Sequence, residues 1–148
     1  MSLLIRSSLA ALAFSSVASI ALPGNTAPTN AEIIMAAVPV NLGQSFIKKK
    51  YKIKGHWSVV QENGRTLIRF SDDFKTKNGP DLKVFLSPQS VGEVTGETVL
   101  DGAVTLGVLK SNKGSQDYLL PKGVSLANFS SVLIHCEAFS VLWGGGSL

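Results

Sequence analysis

The densest hydrophobic pattern in the chain runs from Ser131 to Trp143. Val132, Ile134 and Cys136 alternate on one face, as the period-2 geometry of a strand requires, while Phe139, Val141 and Trp143 fall on the opposite parity. A two-residue reversal at Glu137-Ala138 reconciles the halves. It would pair Cys136 with Phe139, Ile134 with Val141 and Val132 with Trp143 over one core. A β-bulge at the same place is the alternative, because Glu-Ala lacks the Gly or Asn that tight hairpin turns favour. In both geometries Cys136 ends a buried strand.

Upstream, Trp57 to Gln61 and Thr66 to Phe70 flank Glu62-Asn63-Gly64-Arg65. Asn-Gly suits a type I′ turn, whose central residues both need positive φ, and that register sets Glu62 opposite Arg65, Val59 opposite Ile68 and Trp57 opposite Phe70. Between Ile47 and Lys54 the apolar parity alternates with Lys48, Lys50, Lys52 and Lys54, a lysine comb expected on the solvent face of one strand. Leu82 to Ser87, Ala103 to Leu109 and Asp117 to Pro121 are further strands, with a bulge or close packing expected at Gly107. Ser125 to Phe129 has room for one helical turn. Asp81, after Gly79-Pro80, is placed to bond backbone amides and fix the turn into its strand. Frequent turn residues and no long helical period predict an all-β fold: a single antiparallel sandwich or barrel-like domain of about seven to nine short strands.

The first 45 residues have a different character. Arg6 precedes an apolar, serine-broken run from Leu9 to Ala21 that ends in the small-x-small pattern Ser19-Ile20-Ala21, which predicts a cleaved signal peptide over 1–21. Residues 22–45, with Pro23, Gly24 and Pro28, make a linker with room for a short helix before Pro39, and 46–148 forms the β domain. The chain is therefore expected to be exported, periplasmic or extracellular, with no transmembrane segment after cleavage. Mean hydropathy of +0.24 reflects the leader.

Charge and chemistry narrow the function. Without Arg6 the chain carries 13 basic and 10 acidic residues, a net +3 too mild to imply nucleic acid. No Asp-x-Asp series, phosphate-loop glycine pattern or internal repeat is present, so calcium and nucleotide sites have no support. His56, alone at a strand start, has no assigned role. The one cysteine forms no internal disulfide, and in an exported chain such a thiol is buried, bonded to something else, or used. His135 beside it points to the opposite face of the strand, so it is poorly placed to activate Cys136 or to share a metal with it.

Asp73-Phe74, Gly79-Pro80-Asp81-Leu82 with Val84-Phe85-Leu86-Ser87, Leu106-Gly107, Leu109-Lys110, Gly114-Ser115-Gln116-Asp117-Tyr118, Leu120-Pro121 and the Ile134-x-Cys136-x-x-Phe139-x-Val141 ending resemble the extracellular DM-thirteen domain, labelled electron transfer DM-thirteen. The resemblance spans Phe46 to Leu148. It implies a β-sandwich module whose cysteine serves a redox or electron-transfer role, with another exported or surface protein as partner and contact with that partner's redox cofactor, such as haem. His135 stands where relatives carry an aromatic residue, and Gly144-Gly145-Gly146 replaces a less glycine-rich ending, expected to loosen the C-terminus. The expected site is Cys136 as redox residue, with His135, Phe139 and Asp81 as neighbours and no catalytic residue or resident metal. Cys136 is expected to be free and partly accessible. The competing reading is a non-enzymatic binding or adhesion module in which Cys136 is a small apolar core residue.

Overall fold

A computed structural model describes residues 43–148 of the chain. The expected signal peptide over 1–21 and the linker up to residue 42 lie outside the described residues. The strands are β1 (Gln44–Ser45), β2 (Ile47–Lys48), β3 (Ile53–Lys54), β4 (His56–Glu62), β5 (Arg65–Phe70), β6 (Lys75–Thr76), β7 (Leu82–Ser87), β8 (Val104–Val108), β9 (Gln116–Leu119), β10 (Ser131–Cys136) and β11 (Val141–Ser147). Short 3-10 turns occupy Leu126–Asn128 and Glu137–Phe139. Among the described residues seven strands have four residues or more, within the expected seven to nine, and the other four are two-residue pairings.

A four-stranded sheet, β1-β4-β5-β9, packs on a five-stranded sheet, β2-β11-β10-β7-β8, and β3-β6 forms a separate ribbon. Every pairing is antiparallel, and the sheets form an all-β sandwich rather than a closed barrel. Trp57, Val59, Ile68, Phe70 and Tyr118 from the first sheet share one core with Val84, Leu86, Val132, Ile134 and Cys136 from the second. A second core lies on the far side of the five-stranded sheet. There Phe85, Leu133 and Leu142 meet Val91, Val94 and Val99 from the turn-rich segment 88–103. Burying a side chain of this kind contributes about 1.5–3 kcal/mol before chain entropy is subtracted, and the three valines act together with hydrogen bonds such as that from Gln89 Nε2 to the Thr98 carbonyl in holding a segment that has no strand of its own. β10 is thus buried at every residue, as its run of Val, Leu and Ile fits for a strand covered on both faces.

The hairpin register is as the pattern predicts, with Trp57 opposite Phe70, Val59 opposite Ile68 and Glu62 opposite Arg65. Asn63 and Gly64, at φ 50° and 70°, make the type I′ turn. The Glu62 carboxylate, however, pairs with Arg69 at 3.4 Å rather than with Arg65. Arg69 also grips its cross-strand neighbour Asp117 through two bonds of 2.7 Å, which hold the Asp117 carboxyl below its ordinary value. At Gly107 the strand bulges: Val84 pairs with Gly107 but Phe85 with Thr105, which leaves Leu106 extra.

Two expectations about strands are corrected. The lysine comb does not lie on one strand, because the backbone bends at residues 49–51 between β2 and β3, although Lys48, Lys50, Lys52 and Lys54 are all exposed. Gly144-Gly145-Gly146 is no loose end. The three glycines sit buried inside β11, opposite Ile134, Leu133 and Val132. A Cβ on Gly146 would stand 2.2 Å from the Trp57 indole nitrogen, and one on Gly145 would stand 2.5 Å from the Val132 carbonyl. The sheets approach closely here because β11 has no side chains to hold them apart. Gly146→Ala is therefore expected to destabilise the fold by about 1–3 kcal/mol through overpacking, read as a lower denaturant midpoint.

Candidate functional site

Cys136 closes β10, the middle strand of the five-stranded sheet, with Leu82 of β7 on one side and Val141 of β11 on the other. The thiol is free, as expected. It is not partly accessible: Cys136 is 0% exposed and belongs to the apolar core with Leu82, Ile134 and Trp143. The expected weakening of burial beside the reversal begins one residue later, at Glu137.

The reversal itself differs from both expected geometries. Glu137–Phe139 makes a 3-10 turn, and Ser140 follows in the left-handed region at φ 49°, so the connection is longer than two residues. Cys136 pairs with Val141 instead of Phe139, and a bulge between Ile134 and His135 then leaves Trp143 without a partner on β10. Trp143 still reaches the Ile134 and Cys136 side, but Phe139 is moved to the apex of the reversal, 69% exposed. The chain needs those extra residues because Glu-Ala does not readily take the positive φ of a tight turn.

Glu137 anchors the reversal. Its amide donates to the Asp81 carbonyl at 3.1 Å, and its carboxylate pairs with the Lys83 ammonium. Asp81 Oδ1 lies 3.5 Å from the same ammonium, so the carboxylate expected to bond backbone amides meets Lys83 instead. The Glu137 hydrogen bond is the main reason Lys83 is held above its ordinary pKa, with desolvation opposing it.

His135 and Cys136 point to opposite faces, as alternation requires. The imidazole lies against Phe85 in the second core, with ring centroids 6.1 Å apart, and is 1% exposed. Nε2 is 3.0 Å from the Gly96 carbonyl, which can only accept, so Nε2 carries the proton. Nδ1 is then a buried acceptor without a partner. Burial depresses the His135 pKa, against weaker opposing effects from Gly96, Glu137 and Asp81.

This arrangement has clear chemical limits. Among the described residues no side chain hydrogen-bonds the Cys136 sulfur, and the two best metal donors, Cys136 and His135, face different cores. No group of three or more His, Cys, Asp or Glu side chains converges on a metal position among the described residues. Cys136 and His135 are therefore not disposed to hold a haem or metal together. A hollow of about 800 Å³ opens beside His56, Ser58, Arg69 and Asp72, and Cys136 does not line it. His56 is half exposed there, with Nδ1 3.8 Å from Asp73 Oδ1. Sequence reasoning missed Lys83 and Gly96. The visible signal for Lys83 was a charge interrupting the apolar run Leu82 to Leu86. Nothing local marks Gly96.

A depressed histidine pKa has a definite sign. The folded state holds His135 neutral while the unfolded chain protonates near the ordinary value of 6.5, so this contribution to stability is full above that pH and is lost as the pH falls below it. Melting temperatures from pH 7.5 to 5.5 are expected to fall more for the native chain than for His135→Gln, which keeps a donor for Gly96 but does not titrate. Asp73, Glu97 and Asp117, whose pKa values are lowered, add losses only in the more acidic carboxylate range.

A family model described as Electron transfer DM13 matches residues 45–147, nearly the whole of the described domain. No curated protein and no solved structure matches the chain.

Proposed function

The chain belongs to the electron transfer DM13 family, and from that premise we propose that it is an exported, non-enzymatic module of an electron-transfer system that holds Cys136 in reserve. The observation that carries this reading is the position of the thiol: fully shielded, yet directly followed by a reversal in which Ala138, Phe139 and Ser140 are exposed. Glu137 fastens that reversal through one backbone bond to Asp81 and one ion pair to Lys83. Local openings of such segments cost less than global unfolding, so the thiol becomes reachable when the reversal lifts and is otherwise protected. The partner is another exported or surface protein with its own redox centre, such as a haem, which Cys136 contacts in the opened state.

The competing reading, a binding module with a structural cysteine, is favoured by the apolar surroundings of the thiol. Leu82, Ile134 and Trp143 offer it neither a proton acceptor nor a positive charge.

Alkylation kinetics separate the two. Native protein is expected to react with a maleimide far more slowly than unfolded protein, and Lys83→Met, which releases Glu137, is expected to react about two- to fivefold faster than the native chain at a nearly unchanged melting temperature. If labelling in both proteins proceeds only at the rate of global unfolding, Cys136 is a core residue and the binding-module reading takes over.

A further inference from the structure

Seven of the eleven lysines fall in two short segments, 48–54 and 75–77, that contain no acid. The ribbon β3-β6 brings these segments together, with Ile53 opposite Thr76 and Lys54 opposite Lys75. Ile53 and Thr76 turn inward and are buried, so the lysines on alternate positions turn outward. Lys52, Lys54, Lys75 and Lys77 line a groove of about 230 Å³ with Thr76. None of the four forms an ion pair among the described residues. Like charges placed directly opposite each other on paired strands destabilise the pairing, so nothing in the fold itself accounts for Lys54 facing Lys75.

The groove is also held in shape. Thr76 Oγ1 donates to the Lys52 carbonyl at 3.2 Å, the Thr76 amide donates to the Asn112 carbonyl at 2.9 Å, and Lys75 bridges to Lys113. Beneath one end, the Lys77 ammonium sits 5.6 Å from the centre of the Tyr51 ring, which packs against Trp143 at 4.1 Å.

We propose that this groove docks an acidic segment of a partner protein in extended conformation. Residues two apart on an extended chain repeat at roughly 7 Å, so the backbone positions of Lys52 and Lys54, and of Lys75 and Lys77, match the spacing of carboxylates on alternate residues of a bound strand. The absence of arginine from the groove fits such a series of single charges better than a phosphate or another planar group, which the forked guanidinium would grip in two places. Complementary charge also raises the rate of encounter, which suits a transient partner. The proposal goes beyond the role of the thiol and does not depend on it.

The test uses a labelled ten-residue peptide of alternating Glu and Thr, titrated by fluorescence anisotropy at low ionic strength. Binding is expected to weaken with added salt and to fall about tenfold in Lys54→Ser/Lys75→Ser, while Arg65→Ser/Lys122→Ser, equal in charge change but away from the groove, binds as the native chain does. The melting temperature of the groove variant is expected to be unchanged or higher, because a repulsive pair is removed. No binding, or an equal loss in both variants, overturns the proposal. Tighter binding to a sulfated polysaccharide or to phosphatidylserine vesicles than to the peptide also overturns it, in favour of a different anion.

Discussion

The structure depends on one strand being buried on both sides. β10 sits at the centre of the five-stranded sheet and sends Val132, Ile134 and Cys136 into the sandwich core and Leu133 and His135 into the layer beneath segment 88–103. A sheet covered on one face would have left Leu133 and His135 in water. The second cover makes them interior, and from that follow the neutral histidine, its bond to Gly96 and the packing of three valines in a segment made of turns. It also settles the surroundings of the thiol, since a central strand has neighbours on both edges as well as layers on both faces.

How much of this was legible in the chain depended on the range of the interaction responsible. The β4-β5 register could be read because Asn63-Gly64 fixes it locally, and β7 could be read because Pro88 and Gly79-Pro80 bracket its apolar run. The glycine triplet could not. Trp57, about ninety residues away in sequence, leaves no room for a Cβ at Gly146, and the carbonyls of Ile47 and Val132 leave none at Gly144 and Gly145. The cover formed by Val91, Val94 and Val99 was invisible because turns impose no period on the side chains they bury. At the candidate site, the opposed faces of His135 and Cys136 followed from alternation. The exposure of Phe139 did not, since it rests on Ser140 taking a left-handed conformation that its residue type does not announce.

Charge in the molecule is sorted as strictly as hydrophobicity. The acidic groups are mostly tied to near neighbours, as in Glu62 and Asp117 with Arg69, or Asp81 and Glu137 with Lys83. The lysines of the β3-β6 ribbon have no such ties. A modest net charge therefore conceals one face of concentrated positive potential, and potential of this kind acts over about 10 Å at moderate salt, well before surfaces touch.

The pairing of β2 with β11 joins residues 47 and 48 to 145 and 144, almost the full length of the domain apart. Loop closure on that scale is slow, because the entropy of bringing distant segments together is spent before their contacts form. The edge of the five-stranded sheet stays open until residues near 145 are available, so β2 has to wait for β11 before it can pair. β11 then enters between β2 and β10, the strands that flank it, so the first and the latest described strands of this sheet are joined in a single step of closure.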